Sequence, residues 1–351
     1  MPTEIIKKML SRRVSWIDIC RGIAIIFVLY GHIFSNDRQR YLIYAFHMPL
    51  FFFISGLVFK PTLGKSMLSV TFKYIKQLII PYYLFAILTY VFAFVSQTAG
   101  DLSLSGIAYQ VFGVLYGNGN NGMLGYNVVL WFLPCLFITK LTFAAITRKV
   151  SGNKLLLLVL SLSAVIGALI SFFMPWLKLP FGFESALTAL VFFGGGYLSM
   201  QNKKRISIFM NQKKLLILTV TLFTVLIATL NYRISGYQTD LRINHLGNVV
   251  LFYLAAFGGI AAVTALSQLI TRNIILQYIG KHSLVVFAWH NILFIDLKNL
   301  INTLLNQNTI NTIHFFMPTF YVCIAISIIL FSRLIILKLK DVSRFAFFFI
   351  Q

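Results

Sequence analysis

The chain has 351 residues, of which 59% are hydrophobic and only 11% are charged, and its mean hydropathy is +0.85. A soluble domain cannot bury that much apolar surface, so the composition excludes a soluble enzyme and indicates a membrane protein. The net charge of +22 comes from 30 lysines and arginines against 8 acidic residues. These basic residues lie between apolar segments rather than in one stripe, which favours a lipid bilayer over nucleic acid as the partner.

Ten apolar segments predict an all-α polytopic membrane protein, because a transmembrane helix needs about 20 predominantly apolar residues. In chain order they are 16–34, 41–59, 78–98, 127–147, 155–174, 183–200, 215–232, 245–268, 282–297 and 316–337. We expect residues 1–351 to form one integral-membrane domain with no appended soluble domain. The three cysteines fall inside these segments, which argues against a disulfide framework and against a metal site.

The distribution of basic residues predicts how the helices are oriented. With the N-terminus in the cytoplasm and ten alternating spans, most lysines and arginines fall in cytoplasmic loops, as the positive-inside rule requires. The exceptions on the outer side are Arg38, Arg40, Lys178, Arg233, Arg242 and Lys298. We therefore expect both termini in the cytoplasm.

The first segment, "WIDICRGIAIIFVLYGH", carries three ionisable residues. At 3.6 residues per turn, Asp18, Arg21 and His32 fall within an arc of about 60°. Ionisable side chains inside a membrane face the protein interior or a water-filled cavity, and they mark candidate functional sites. Arg21 and His32 are about 16 Å apart along the axis, a span that a ligand shaped like coenzyme A can bridge. A structural ion pair between Asp18 and Arg21, with an interfacial histidine, is the alternative interpretation.

Two more histidines lie near the predicted outer surface. His47 opens the second segment in "FHMPLFFFISG", and His290 closes "GKHSLVVFAWHN" in the ninth. Histidine can act as a general base at neutral pH, so both are candidates for the same site as His32. Ser283 precedes His290 by nearly two whole turns, which predicts that the two share a face.

Two lysines and one acid complete the candidate set. Lys73 and Lys76 lie three residues apart at the cytoplasmic start of the third segment, where such a pair can hold phosphate groups or simply anchor the helix. Glu184, near the outer end of the sixth segment, can orient a histidine, bind a sugar hydroxyl or stay exposed at the interface. The motifs of zinc proteases, Walker A ATPases and serine hydrolases are missing from the sequence, and we expect no metal.

Four stretches in order resemble the acyltransferase 3 family of integral-membrane acyltransferases. They are "WIDICRGIAIIFVLYGH", which has the family's R-x10-H spacing, "FHMPLFFFISG", "LWFLPCLF" and "IGKHSLVVFAWHN", which follows its G-x-x-S-hydrophobic-H pattern. The resemblance implies that Arg21 and His32 are the functional pair of the first helix. Where the family often has R-x-x-R before the third span, this chain has Lys73 and Lys76, which keep the charge but lose the bidentate guanidinium fork.

The resemblance also implies the reaction. The donor would be cytoplasmic acetyl-CoA, and the acceptor a sugar hydroxyl of a cell-surface polysaccharide or its lipid-linked precursor. We expect a bacterial inner-membrane protein, possible contacts with polysaccharide-assembly proteins, and His32 acting as general base or as a transient acyl carrier. Three alternatives stay open: a transporter or flippase of lipid-linked sugars, a non-catalytic subunit of an assembly complex, and an acyltransferase with an amino or small-molecule acceptor.

Overall fold

The computed structural model describes residues 15–33, 37–95, 103–120, 122–201, 214–270, 273–304 and 318–328. Within these ranges the fold is all-α, as predicted, and no strand is present. The α-helices are α1 (Ser15–Ile33), α2 (Asp37–Tyr44), α3 (His47–Leu57), α4 (Met67–Tyr74), α5 (Ile80–Val95), α6 (Leu104–Tyr116), α7 (Phe132–Lys149), α8 (Asn153–Phe173), α9 (Phe183–Gln201), α10 (Lys214–Ser235), α11 (Val249–Leu269), α12 (Ile274–Lys281), α13 (Ser283–Leu304) and α14 (Pro318–Ile328).

Eight helical stretches of the described chain are long and apolar enough to cross a bilayer, so the protein is a multi-pass membrane protein. They match the first eight predicted spans. The ninth and tenth predicted spans fall on shorter apolar stretches, Ser283–Phe294 of α13 and Pro318–Ile328 of α14. The second of these adjoins residues outside the described ranges. The count of ten and the position of the termini therefore stay predictions.

The main departures from the predicted spans are at helix ends. The third span begins at Met67 rather than at residue 78, because the Ser66 side chain caps α4 by accepting a hydrogen bond of 3.2 Å from the Ser69 amide. A π-helical turn, Ile75–Ile79, then joins α4 to α5. Asn273 caps α12 in the same way, so a short helix precedes the ninth span where the hydropathy pattern predicts a loop.

The loop predicted between the third and fourth spans contains a helix. Ser103 caps α6 by accepting a hydrogen bond of 3.1 Å from the Gly106 amide, and Gly117 ends the helix in the left-handed conformation. In the Asn- and Gly-rich stretch that follows, Asn118 and Asn127 donate hydrogen bonds to the Leu179 and Ala288 carbonyl oxygens, which attach this segment to the rest of the fold.

The core of the bundle is the pair α3 and α9. Phe52, Phe192 and Phe193 are fully buried there. A side chain on Gly56 would collide with the Phe193 carbonyl oxygen, and one on Gly196 with that of Phe53. The two glycines thus let the backbones touch, which is how membrane helices gain packing where lipid offers no hydrophobic driving force. By contrast, α8 and α10 leave most of their apolar side chains exposed.

Candidate active site

The first helix is held in place by α12 at one end and by α13 near the other. A side chain on Gly280 would collide with the Asp18 carbonyl oxygen, and one on Gly22 with that of Leu276. The backbones of α1 and α12 therefore touch beside Asp18. Gly280, the glycine of the "GKHS" stretch, makes this contact. His290, farther along the chain on α13, reaches the other end of α1, where it lies beside His32.

That far end carries the histidine cluster, which we define as His32, His47 and His290. The ring centroids of His32 and His290 are 5.1 Å apart. The Tyr44 ring links His32 to His47, because its centroid lies 6.2 Å from that of His32 and 4.8 Å from that of His47. Residues from α1, α3 and α13 thus meet in one place.

Backbone carbonyls fix which ring nitrogen carries the proton in two of these histidines. His47 Nδ1 lies 2.8 Å from the Ile43 carbonyl oxygen, and His290 Nδ1 lies 2.7 Å from that of Phe287. Because a carbonyl oxygen only accepts, Nδ1 is the donor in each ring, and Nε2 of the neutral ring is left as an acceptor. His290 Nε2 is buried and has no hydrogen-bond partner among the described residues.

An unpartnered buried acceptor costs about 1–3 kcal/mol, so such an atom is a candidate to meet a ligand. Asn127 offers a second one. Its amide nitrogen donates to the Ala288 carbonyl oxygen at 2.8 Å and to Thr89 Oγ1 at 3.1 Å, while its Oδ1 is buried without a partner in the described chain. Both atoms accept hydrogen bonds, and a sugar hydroxyl is a donor.

Charged residues from α2 and from the turn before α11 lie near the histidine cluster. The Arg40 guanidinium lies 4.7 Å from the centre of the Tyr44 ring and donates to its hydroxyl at 2.8 Å. Arg242 pairs with Asp240 at 3.0 Å and donates to the Gly119 carbonyl oxygen. Both arginines lie within electrostatic reach of His32.

Glu184 fixes the neighbouring loop. Its carboxylate is fully buried and accepts hydrogen bonds from the Asn118 amide at 2.9 Å and from the Leu179 backbone at 3.0 Å. Lys178, in the same loop, donates to the Ile243 carbonyl oxygen at 2.8 Å. Burial lowers the pKa of this ammonium, Glu184 acts in the opposite direction, and Arg242 lowers it further. In both hydrogen bonds the partner of Glu184 is a loop residue, Asn118 or Leu179, rather than a histidine that the carboxylate would orient.

The other end of α1 carries the cationic cluster, which we define as Arg21, Lys73 and Lys140. Arg21 lies 3.6 Å from the Asp18 carboxylate. The ammonium groups of Lys73 and Lys140 lie 5.8 Å and 5.2 Å from the centre of the Tyr74 ring. Lys140 is within electrostatic reach of both Lys73 and Arg21, so cations of α1, α4 and α7 converge.

Besides Glu184 and Asp18, which lie next to the clusters, two predicted site residues, Lys76 and Ser283, belong to neither cluster. Lys76 is exposed on the π-helical turn, whose wider winding rotates it away from its predicted alignment with Lys73. Ser283 opens α13, about 10 Å from His290 along the axis. Within the described ranges, no group of three or more His, Cys, Asp or Glu residues is arranged to hold a metal, and the expectation of no metal stays a prediction.

Several residues near the clusters are missing from the sequence-based candidates, although some carried a signal. Lys140 lies inside an apolar segment, and intramembrane cations mark functional sites. Arg40 and Arg242 are basic residues on the predicted outer side, where few are expected. Tyr44, Asn127 and Asp240 give no such signal, because only the folded chain brings them to the histidines.

One of the comparisons with known proteins identifies a family. A family model described as an acyltransferase domain matches residues 14–336, which is nearly the whole chain. Neither the curated proteins nor the solved structures gave a match. The protein, a multi-pass membrane protein with a cationic cluster and a histidine cluster at opposite ends of one helix, belongs to the acyltransferase 3 family.

Proposed function

We propose that the protein transfers an acetyl group from cytoplasmic acetyl-CoA to a sugar hydroxyl of a cell-surface polysaccharide or its lipid-linked precursor. We place it in the inner membrane of a bacterium, with its whole length acting as one unit. The observation that carries the proposal is the placement of Arg21 and His32 on one helix, each within a cluster built from several other helices.

The cationic cluster supports an anionic donor. Arg21 and Lys73 approach from different helices, and phosphate groups bind where several cations converge. Asp18 lies within ion-pair distance of Arg21 and is nearly fully buried, so we assign it to holding the guanidinium in position. The pantetheine arm of coenzyme A would then follow the roughly 16 Å from Arg21 to His32.

The histidine cluster supports acyl transfer at the other end. In one form of the mechanism the His32 imidazole takes the proton of the sugar hydroxyl while its oxygen attacks the thioester carbonyl. The carbon–sulfur bond then breaks, and the coenzyme A thiolate takes the proton from His32. In the second form, a His32 nitrogen attacks the thioester carbonyl, the carbon–sulfur bond breaks and coenzyme A leaves as the thiol with the imidazole proton. The sugar hydroxyl then attacks the acetyl-imidazole, the nitrogen–acetyl bond breaks and the hydroxyl proton returns to the ring. An acetylated His32 trapped under single-turnover conditions decides for the second.

We assign supporting roles to the other residues. His290 Nε2 accepts a hydrogen bond from the acceptor hydroxyl or from His32, because it is the free nitrogen of that ring. His47 positions Tyr44 and the sugar beside it. Glu184 holds the loop that lines the acceptor side. Ser283, the first residue of α13, contacts the donor arm, and Lys76 attracts coenzyme A from the cytoplasm without a fixed contact.

The test measures base-labile acetate on surface polysaccharide in cells that lack the protein and in complemented cells. We expect wild type to restore acetate and a normally inserted His32→Ala variant to leave it absent. His282→Ala is the matched control, because His282 packs against Tyr278 away from the histidine cluster, and we expect it to restore acetate. Equal acetate in all strains would contradict the proposal, and a lipid-linked sugar transporter would then be favoured.

A further inference from the structure

Lys140 is the cation that sequence reasoning leaves without a role. It lies within α7, in a helix whose other charged residues, Arg148 and Lys149, are in the last turn. Its side chain is partly buried, and its ammonium lies over the Tyr74 ring. No carboxylate of the described chain is within ion-pair distance of it.

The positively charged neighbours of Lys140 destabilise its ammonium group when no anion is bound. The Lys73 ammonium lies over the same Tyr74 ring as that of Lys140, and Arg21 is a further cation within electrostatic reach. Three cations meet here, and the carboxylate described beside them belongs to Asp18, which pairs with Arg21. Like charges that share one aromatic ring repel each other. A bound anion with two or more negative charges would reverse the sign of the interaction.

The Tyr74 ring explains how two lysines are kept close together. The ring is almost fully buried, and cations on an aromatic face are attracted by its quadrupole. Lys73 and Lys140, from α4 and α7, both use this ring. The ring thus brings the ammonium groups of two different helices to one place, although the Lys73 side chain is exposed.

We propose that Lys140 binds a phosphate group of the acyl donor, as the third cation of a site shared with Arg21 and Lys73. This inference rests on the proposed function, which supplies coenzyme A as the donor. It adds a residue from the fourth span that the family's helix-one and third-span motifs do not contain. It also predicts that α7 contributes to binding the phosphates of coenzyme A rather than its pantetheine arm.

The experiment measures coenzyme A binding and thermal unfolding of the purified full-length protein in lipid nanodiscs. Lys140→Met removes the charge and keeps much of the side-chain length, and Lys149→Met is the matched control, because Lys149 is an exposed lysine of the same helix. We expect Lys140→Met to weaken coenzyme A binding by about tenfold or more, Lys149→Met to change it less than about twofold, and Lys140→Arg to restore most of it.

Unfolding without ligand separates binding from packing. If Lys140 is a ligand-binding cation, the Met variant unfolds at a temperature equal to or higher than wild type, because the repulsion is relieved. A purely structural lysine would give a lower unfolding temperature with unchanged coenzyme A affinity, and that result would overturn the inference.

Shortened donors identify the phosphate. A loss of affinity seen with coenzyme A but not with 3′-dephospho-coenzyme A assigns Lys140 to the ribose phosphate, and a loss with both assigns it to the pyrophosphate. An equal loss with acetyl-pantetheine, which lacks the nucleotide, overturns the inference. Wild-type protein that binds no coenzyme A would overturn the proposed function as well, whereas equal binding by wild type and Lys140→Met would overturn this inference alone.

Discussion

The histidine cluster and the cationic cluster lie at opposite ends of α1 and are stabilised in different ways. At the first, His47 and His290 are buried, and backbone carbonyls hold each ring through Nδ1. At the second, Lys73 and Lys140 share one tyrosine ring while their charges repel each other. The first is held by hydrogen bonds that leave the His290 Nε2 lone pair free, and the second carries more positive than negative charge among the described residues.

This difference separates two kinds of effect. Preorganised neutral groups are suited to proton transfer, where geometry and a free lone pair decide the rate. Converging cations are suited to binding an anion, where net charge decides the affinity. Substitutions at the histidine cluster should therefore change acyl transfer at constant donor affinity, whereas substitutions at the cationic cluster should change donor affinity first.

His32→Ala should give the largest effect. We expect acetyl transfer to fall by about a hundredfold or more, the range for losing a general acid–base group, while coenzyme A affinity changes less than about twofold. Transfer of labelled acetyl into polysaccharide and coenzyme A binding are measured on the same preparation. A variant that still transfers acetyl at the wild-type rate would remove His32 from the mechanism.

Gly280→Val should disturb both ends of α1 together. The new side chain meets the Asp18 backbone, and overpacking of this kind costs about 1–3 kcal/mol. We expect a lower unfolding temperature, weaker coenzyme A binding and slower transfer. Gly195→Ala is the control, because an added Cβ there meets only the edge of the Phe257 ring, at 3.3 Å. Unchanged donor binding in Gly280→Val would show that α12 does not position Arg21.

Glu184→Ala should affect only the histidine end. It removes the acceptor for Asn118 and Leu179, and a buried donor left unpaired costs about 1–3 kcal/mol. We expect slower transfer at unchanged coenzyme A affinity, with partial recovery in Glu184→Gln, which keeps one oxygen acceptor. If Glu184→Ala weakened donor binding and left transfer per bound donor intact, the division between the two ends would be wrong.

The lysine pair of the third span should give the smallest effects, and they should be unequal. Lys73→Met loses a charge beside Tyr74 and should weaken coenzyme A binding by about three- to fivefold at low salt. Lys76 is exposed, as Lys73 is, but among the described residues it lies over no aromatic ring, so Lys76→Met should change binding by less than about twofold. Titrations at low and high salt check the difference, because screening reduces such contributions. Equal losses would mean that the two lysines act as one motif.

The sequence predicts the fold class well, because long apolar segments have few other solutions in a bilayer. It also places Arg21 and His32 on one face, because helix geometry alone fixes that angle. The start of α4 and the existence of α12 escape a hydropathy pattern, since they depend on the caps of Ser66 and Asn273.

The parts of the site that depend on contacts between helices are harder to predict. The convergence of His32 with His290 requires knowing that α13 packs on α1. The role of Glu184 in fixing the loop cannot be predicted from the sequence, because its hydrogen-bond partners, Asn118 and Leu179, lie in two other segments. Lys140 carries a sequence signal as a cation inside an apolar segment, but its contact with Tyr74 forms only in the folded chain.

The most direct test of the division between the two clusters compares His32→Ala with Arg21→Met in one assay. Purified protein in nanodiscs receives labelled acetyl-CoA and membranes from cells lacking the protein as the source of acceptor, and both the donor dissociation constant and the labelled acetyl in polysaccharide are measured. We predict that His32→Ala binds the donor normally and transfers no label, whereas Arg21→Met binds the donor weakly and recovers transfer at high donor concentration. Arg21→Met that binds the donor as wild type does, or His32→Ala that loses binding, would contradict the division of roles between the two clusters.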